Sequence, residues 1–95
     1  MSDPRNGLYL CAYDISDDRE RRRVDRLLSG YGFRRQKSLF LCRLTRAARR
    51  RLGAALKGLG LKTGFVLSAP LAGQARVETF GEAPPDPDAG DCYLV

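Results

Sequence analysis

Ordered patterning begins with a continuous apolar run, Leu8 to Tyr13, rich in aromatic and strand-compatible residues and too short for a helix. It predicts a central strand buried on both faces. The period then changes. Val24, Leu27, Leu28 and Tyr31 recur at the i, i+3, i+4, i+7 spacing of a one-faced helix. Asp17 stands where its N-cap belongs, and Glu20 three residues on completes a capping box by reaching back. Stepping about 100° per residue puts Arg19, Arg22, Arg23 and Arg26 on the opposite face. Gly30 and Gly32 are expected to stop the helix.

Phe33 to Leu44 has strand-like residues and no helical period, and divides into two strands around Lys37-Ser38. Thr45 then caps a second helix whose apolar stripe is Ala48, Leu52, Ala55, Leu56 and Leu59, with Arg46, Arg49, Arg50 and Lys57 on the far side. Gly58 and Gly60 end it. Thr63 to Ala69 reads as a further strand, Pro70 to Gly73 as a turn, and Gln74 to Phe80 as a half-exposed strand. The order of the first six elements predicts an α+β, ferredoxin-like βαββαβ domain with an additional C-terminal strand. Residues 1–80 would form the nucleic-acid-binding domain. Residues 81–95 would form a Pro-rich linker and an apolar C-terminal docking strand suited to strand addition on a sheet edge.

Composition narrows what such a domain can do. At 95 residues it has a modest core and is a candidate for stabilisation by a second copy. No apolar run reaches the ~20 residues of a membrane helix, and residues 1–7 have no signal-peptide pattern, so no membrane partner and a cytoplasmic location are expected. The three cysteines are widely spaced, and there is no histidine. That combination argues against a zinc site and a disulfide framework, and it removes Ser-His, Cys-His and histidine-based ribonuclease chemistry. Cys11 and Cys42 read as small hydrophobic packing residues in strands. Any hydrolytic chemistry must run on carboxylates, with a metal.

Charge changes the picture most. The net charge is +6, and every acid lies at or before Asp25 or at or after Glu78. Between them lie Arg26, Arg34, Arg35, Lys37, Arg43, Arg46, Arg49, Arg50, Arg51, Lys57, Lys62 and Arg76, with no acid to neutralise them. A surface tuned only for solubility would intersperse both signs. A basic module of this kind points to a polyanion ligand.

Asp14 follows the first apolar run and should sit at the C-terminal end of the central strand. A carboxylate there is either a cap or ion-pair partner, or a ligand for Mg²⁺ (or Mn²⁺), since hard cations take oxygen donors. One aspartate is a thin metal site. Two brought together across a dimer axis would make a credible one, because neighbouring carboxylates need a cation between them. Asp17 and Asp18 suit the positive end of a helix. Ser38 is a turn residue or a hydroxyl that holds a phosphate. Arg34 and Arg35 point to opposite sides of a strand, so only one shares the side of Asp14. Phe40 reads as core.

Tyr13-Asp14-Ile15-Ser16-Asp17-Asp18, the basic run ending in Arg23-Val24, then Leu27-Leu28, Tyr31-Gly32, Arg34, Gln36, Ser38 and Phe40 resemble the CRISPR-associated endoribonuclease family. The resemblance covers Leu8 to Thr45 in order, with weaker echoes at Pro70 to Gly73 and Ala75 to Thr79. It implies a ferredoxin-like homodimer whose C-terminal strands pack on the partner's sheet, with Mg²⁺ shared between Asp14 of both protomers. It further implies a complex with the CRISPR integrase subunit that holds double-stranded DNA during spacer acquisition. The family resemblance also implies metal-dependent nuclease activity on single-stranded RNA or double-stranded DNA. Asp14, Ser38 and Arg34 are then the candidate catalytic set. Arg19, Arg21, Arg22, Arg23, Arg26, Arg46, Arg49, Arg50 and Lys57 are the candidate nucleic-acid contacts, with Arg21, Arg23 or Arg34 countering phosphate charge. The chain departs from the family pattern at Leu41, where Glu is usual, at Glu20, where Arg is usual, and in Gly64 to Leu67, which lacks the usual acid and Arg. Those departures bear on catalysis and leave a binding scaffold intact. Two alternatives share the topology: a stand-alone ribonuclease toxin of the virulence-associated D type, and a non-catalytic RNA-binding domain with an aromatic platform.

Overall fold

The computed structural model describes residues 7–72 and 78–82. Its elements are β1 (Gly7–Ile15), α1 (Asp18–Ser29), β2 (Gly32–Gln36), β3 (Leu39–Leu44), α2 (Arg46–Gly58) and β4 (Gly64–Pro70). The strands form one antiparallel sheet in the order β2-β3-β1-β4, so β1 is central, as expected of the ferredoxin-like arrangement.

Alternation along the strands decides what lies under the helices. Cys11, Tyr13 and Ile15 of β1 and Phe40, Cys42 and Leu44 of β3 pack against Val24 and Leu28 of α1 and Leu52 of α2. Cys11 and Cys42 are fully buried packing residues, and hydrogen bonding to Cys11 together with burial pushes the Cys42 thiol up, away from nucleophile chemistry. Phe40 is core, as its pattern suggests.

The other face of the sheet has no helix on it. Leu10 is paired with Leu41 and Ala69, Ala12 with Leu39 and Leu67, and Asp14 with Phe65, so these side chains share that face. Leu67 is 47% exposed and Phe65 55% exposed. The expectation that β1 is buried on both faces is therefore corrected: within one protomer only its helix-facing side is closed.

Several boundaries shift for identifiable reasons. β1 runs on through Asp14 and Ile15 because β4 pairs with it that far. Gly32 opens β2 instead of stopping α1, which ends at the Gly30 cap. Gly58 is the last residue of α2, Leu59 its C-cap, and Gly60 follows at φ +61°, the left-handed turn that only glycine makes cheaply. β4 starts at Gly64 and includes Pro70, and the next amide, of Leu71, donates to the Leu8 carbonyl at 2.9 Å. The expected strand Gln74 to Phe80 lies largely outside the described residues, and its described end, 78–80, has no regular structure. The expected linker beyond Glu82 and the docking strand at 91–95 also lie outside them. None of the described helices is long and apolar enough to cross a membrane.

Candidate metal centre and nucleic-acid interface

Asp14 is the penultimate residue of β1, exposed, and on the sheet face opposite the helices. The capping alternative for it is removed by the structure, since the N-cap of α1 is Asp17, whose Oδ2 accepts the Glu20 amide at 2.9 Å. The ion pairs among the described residues are Arg21 with Asp18 and Arg34 with Asp25, so Asp14 has no ion-pair partner among them. Its carboxylate is thus an available hard donor. No cluster of three or more potential metal ligands exists among the described residues of a single chain. This donor set fits a cation that keeps most of its waters and takes one or two carboxylates, as Mg²⁺ does.

The β1–α1 turn that carries Asp14 into the helix is tied from two sides. Arg21 donates to the carbonyls of Ile15 at 2.9 Å and Ser16 at 2.8 Å and also pairs with Asp18. Its guanidinium is thus shared between the turn and the partly exposed surface. Glu20 does not reach back to the Asp17 amide. The Thr63 hydroxyl takes that place, accepting the Asp17 amide at 3.0 Å while donating to Glu20 Oε1 at 2.6 Å. The half of the capping box missing from α1 is thus supplied by the α2–β4 loop, which no local sequence spacing could reveal. The hydrogen bond from Thr63 and those from the Lys62 and Thr63 amides hold the Glu20 carboxyl below its ordinary range.

The sheet separates Arg34 from Asp14. Arg34 lies 3.0 Å from Asp25 and stacks over Phe40, on the helix side. The Tyr13 hydroxyl hydrogen-bonds to Asp25 on that same side and lies 3.0 Å from the Lys37 carbonyl. Arg35, which lies over the Phe33 ring, is the one on the side of Asp14. Within a protomer, then, Arg34 and Asp14 do not converge. Ser38 sits in the two-residue Lys37-Ser38 turn between β2 and β3, where its carbonyl accepts the Tyr13 amide at 3.0 Å. The turn reading of Ser38 is the one its backbone realises.

Both helices carry exposed arginines. Arg19, Arg22, Arg23 and Arg26 on α1 are exposed, as are Arg46, Arg49, Arg50 and Lys57 on α2. Arg49 lies 5.2 Å over the Tyr9 ring, which orients its guanidinium without neutralising its charge. Thr45 caps α2 by accepting the Ala48 amide at 3.0 Å, and the first turn of α2 has no acid. The helix layer has an excess of positive charge, and the far side of the sheet has an apolar band of Leu10, Ala12, Leu39, Phe65 and Leu67, with Arg35 and Arg43 on the same face. Tyr9 and Tyr13 face the helices, so the exposed sheet face has no aromatic pair on its central strands. The aromatic platform of the RNA-recognition alternative is absent from the described residues.

The family model of CRISPR associated protein Cas2 matches residues 7–76. The chain is 39% identical over 80 residues to CRISPR-associated endoribonuclease Cas2 3 of Synechocystis sp., covering 81% of this chain and 87% of that protein. Its fold is similar to a crystal structure of a hypothetical protein from Thermus thermophilus, with a TM-score of 0.76 and 35% identity over 85% of this chain and 98% of that one. It is likewise similar to the crystal structure of Streptococcus pyogenes Cas2, with a TM-score of 0.67 and 29% identity over 78% of this chain and 99% of that one.

Proposed function

The chain belongs to the CRISPR-associated Cas2 family, and from that premise we propose that it is a cytoplasmic, homodimeric DNA-holding subunit of CRISPR adaptation that also carries a Mg²⁺-dependent phosphodiesterase centre. The observation that carries this reading is the two-sidedness of the protomer. One side is a layer of exposed arginines, those of α2 lying in a stretch without acids. The other is an open sheet face whose apolar band of Leu10, Ala12, Leu39, Phe65 and Leu67 ends in an available carboxylate.

Those two sides favour different partners. Helix layers from two copies would repel each other, whereas the apolar band of Leu10, Ala12, Leu39, Phe65 and Leu67 on the open sheet face can be buried against its copy, so the second copy docks sheet to sheet. Such docking covers Phe65 and Leu67 and brings Asp14 of each protomer toward its counterpart. Each Asp14 would then hold one side of a shared Mg²⁺ or Mn²⁺. Bound there, the ion would supply Lewis-acid activation of water for phosphodiester hydrolysis on RNA or DNA; the Synechocystis relative is named an endoribonuclease. The outward arginines of α1 and α2 contact phosphates, fixing the backbone of double-stranded DNA without reading its sequence. An integrase subunit is the partner that would use DNA held in this way.

The test is binding of a labelled random-sequence duplex by fluorescence anisotropy, beside cleavage of single-stranded RNA and duplex DNA with and without Mg²⁺. Asp14→Ala should abolish Mg²⁺-dependent cleavage and leave duplex binding intact. Cleavage that persists in purified Asp14→Ala protein would sink the metal-centre reading. Duplex binding insensitive to salt would sink the DNA-holding one.

A further inference from the structure

Glu20 does something that neither capping nor sheet formation explains. Its carboxylate lies in the first turn of α1, but all its hydrogen bonds go to the α2–β4 loop: the Lys62 amide at 2.9 Å, the Thr63 amide at 3.0 Å and the Thr63 hydroxyl at 2.6 Å. Thr63 closes on the turn that follows Asp14. Its carbonyl accepts the Ser16 amide at 3.1 Å and its hydroxyl oxygen accepts the Asp17 amide at 3.0 Å. The next residue, Gly64, pairs with Ile15 so closely that a Cβ there would collide with the Asp14 carbonyl oxygen. Arg21 grips the same turn from its other side through the Ile15 and Ser16 carbonyls.

The backbone from Asp14 to Asp17 is therefore bonded on both edges, and Glu20 anchors the edge formed by the loop. We propose that Glu20 is a positioning residue for Asp14: by fixing Thr63 it sets where the Asp14 carboxylate projects from the sheet. The inference rests on the reading of Asp14 as a metal ligand. A site made of one carboxylate per protomer has little redundancy, because any displacement of the strand end enters twice, once from each copy. Sites of this kind need their donors held to within about 0.5 Å.

The test compares Glu20→Gln, Thr63→Val and Asp14→Ala in the full chain, below their melting temperatures. It measures Mn²⁺ affinity by electron paramagnetic resonance and amide hydrogen exchange at Ser16 and Asp17. Glu20→Gln should weaken Mn²⁺ binding by about 10–100-fold, the usual effect of losing a group that orients a ligand, and should speed exchange at both amides. Thr63→Val should do the same, and it carries the test if Glu20→Gln does not fold. A merely structural Glu20 would lower the melting temperature and leave the Mn²⁺ affinity of the folded protein unchanged. Binding lost in Asp14→Ala but native in Glu20→Gln or Thr63→Val overturns the positioning role alone. Binding that survives Asp14→Ala overturns the metal reading and the positioning role together.

Discussion

Tyr13 and Asp14 are neighbours on β1 that serve opposite faces of the sheet. The Tyr13 hydroxyl is tied under the helices to Asp25, while Asp14 stands on the open face opposite Phe65. One residue locks the fold and the next is left available for chemistry. Tyr13→Phe should therefore destabilise the domain by about 1.5–3 kcal/mol, the range for losing a hydrogen bond to a charged group, without altering metal-dependent cleavage. Urea unfolding and a cleavage assay on the same preparation check both halves.

The same hydroxyl predicts an alkaline limb. Burial, the hydrogen bond to Asp25 and the Asp25 charge push the Tyr13 phenol up from 10.0 to about 12. The folded state then holds the proton over a window in which the unfolded chain has released it. Stability is fully present below pH 10 and is lost as pH rises toward about 12. Tyr13→Phe should flatten that part of the stability–pH curve. A limb of equal slope in the variant would contradict the assignment.

Glu20 predicts the opposite limb. Its carboxyl is held below the ordinary value of 4.5, so its contribution is present above that pH and is lost as pH falls through the folded-state value. Glu20→Gln should lower the melting temperature at neutral pH and reduce its further fall below about pH 4.5. Melting curves of the two proteins that run parallel through that range would show that the loop clamp does not depend on the ionised carboxylate.

Leu67 tests the docking face. At 47% exposed it contributes little to the protomer's own core, so Leu67→Lys should leave the fold intact and place a charge in the proposed interface. Light scattering should report a dimer for the unaltered chain and a monomer for Leu67→Lys, with matching far-ultraviolet circular dichroism. A folded variant that remains dimeric would move the interface elsewhere.

The proposed DNA contact distinguishes the α2 arginines from Arg21. Replacing Arg46, Arg49 and Arg50 together with Ala should flatten the salt dependence of duplex binding by about 0.9 in the log–log slope for each phosphate left without its cationic partner. Arg21→Ala should leave that slope unchanged and lower stability instead, because its guanidinium serves the Ile15 and Ser16 carbonyls.

Local pattern made much of this legible. Helical spacing located the stripes of α1 and α2, the Asp17 and Thr45 caps formed as expected, and the two-residue turn fell at Lys37-Ser38. What depended on distant strands did not show. Nothing near Glu20 announces Thr63, 43 residues on, as its partner. Which side Arg34 takes is set by its pairing with Phe40 on β3, a long-range register that its neighbours in sequence do not mark. Leu8 to Tyr13 was apolar for two reasons that look alike in sequence: alternate residues face the helices, and the rest face what we propose is a second copy. Asp14 stood out because it interrupts that second set.

The central claim is that the available carboxylate becomes a site only when two copies meet. Its most direct measurement is the stoichiometry of Mn²⁺ bound by the purified protein, read by native mass spectrometry on wild type and Asp14→Ala. The expected result is one ion per two chains, retained on the dimer and lost in Asp14→Ala while the dimer persists. One ion per single chain, or an ion still held by the Asp14→Ala dimer, would contradict it.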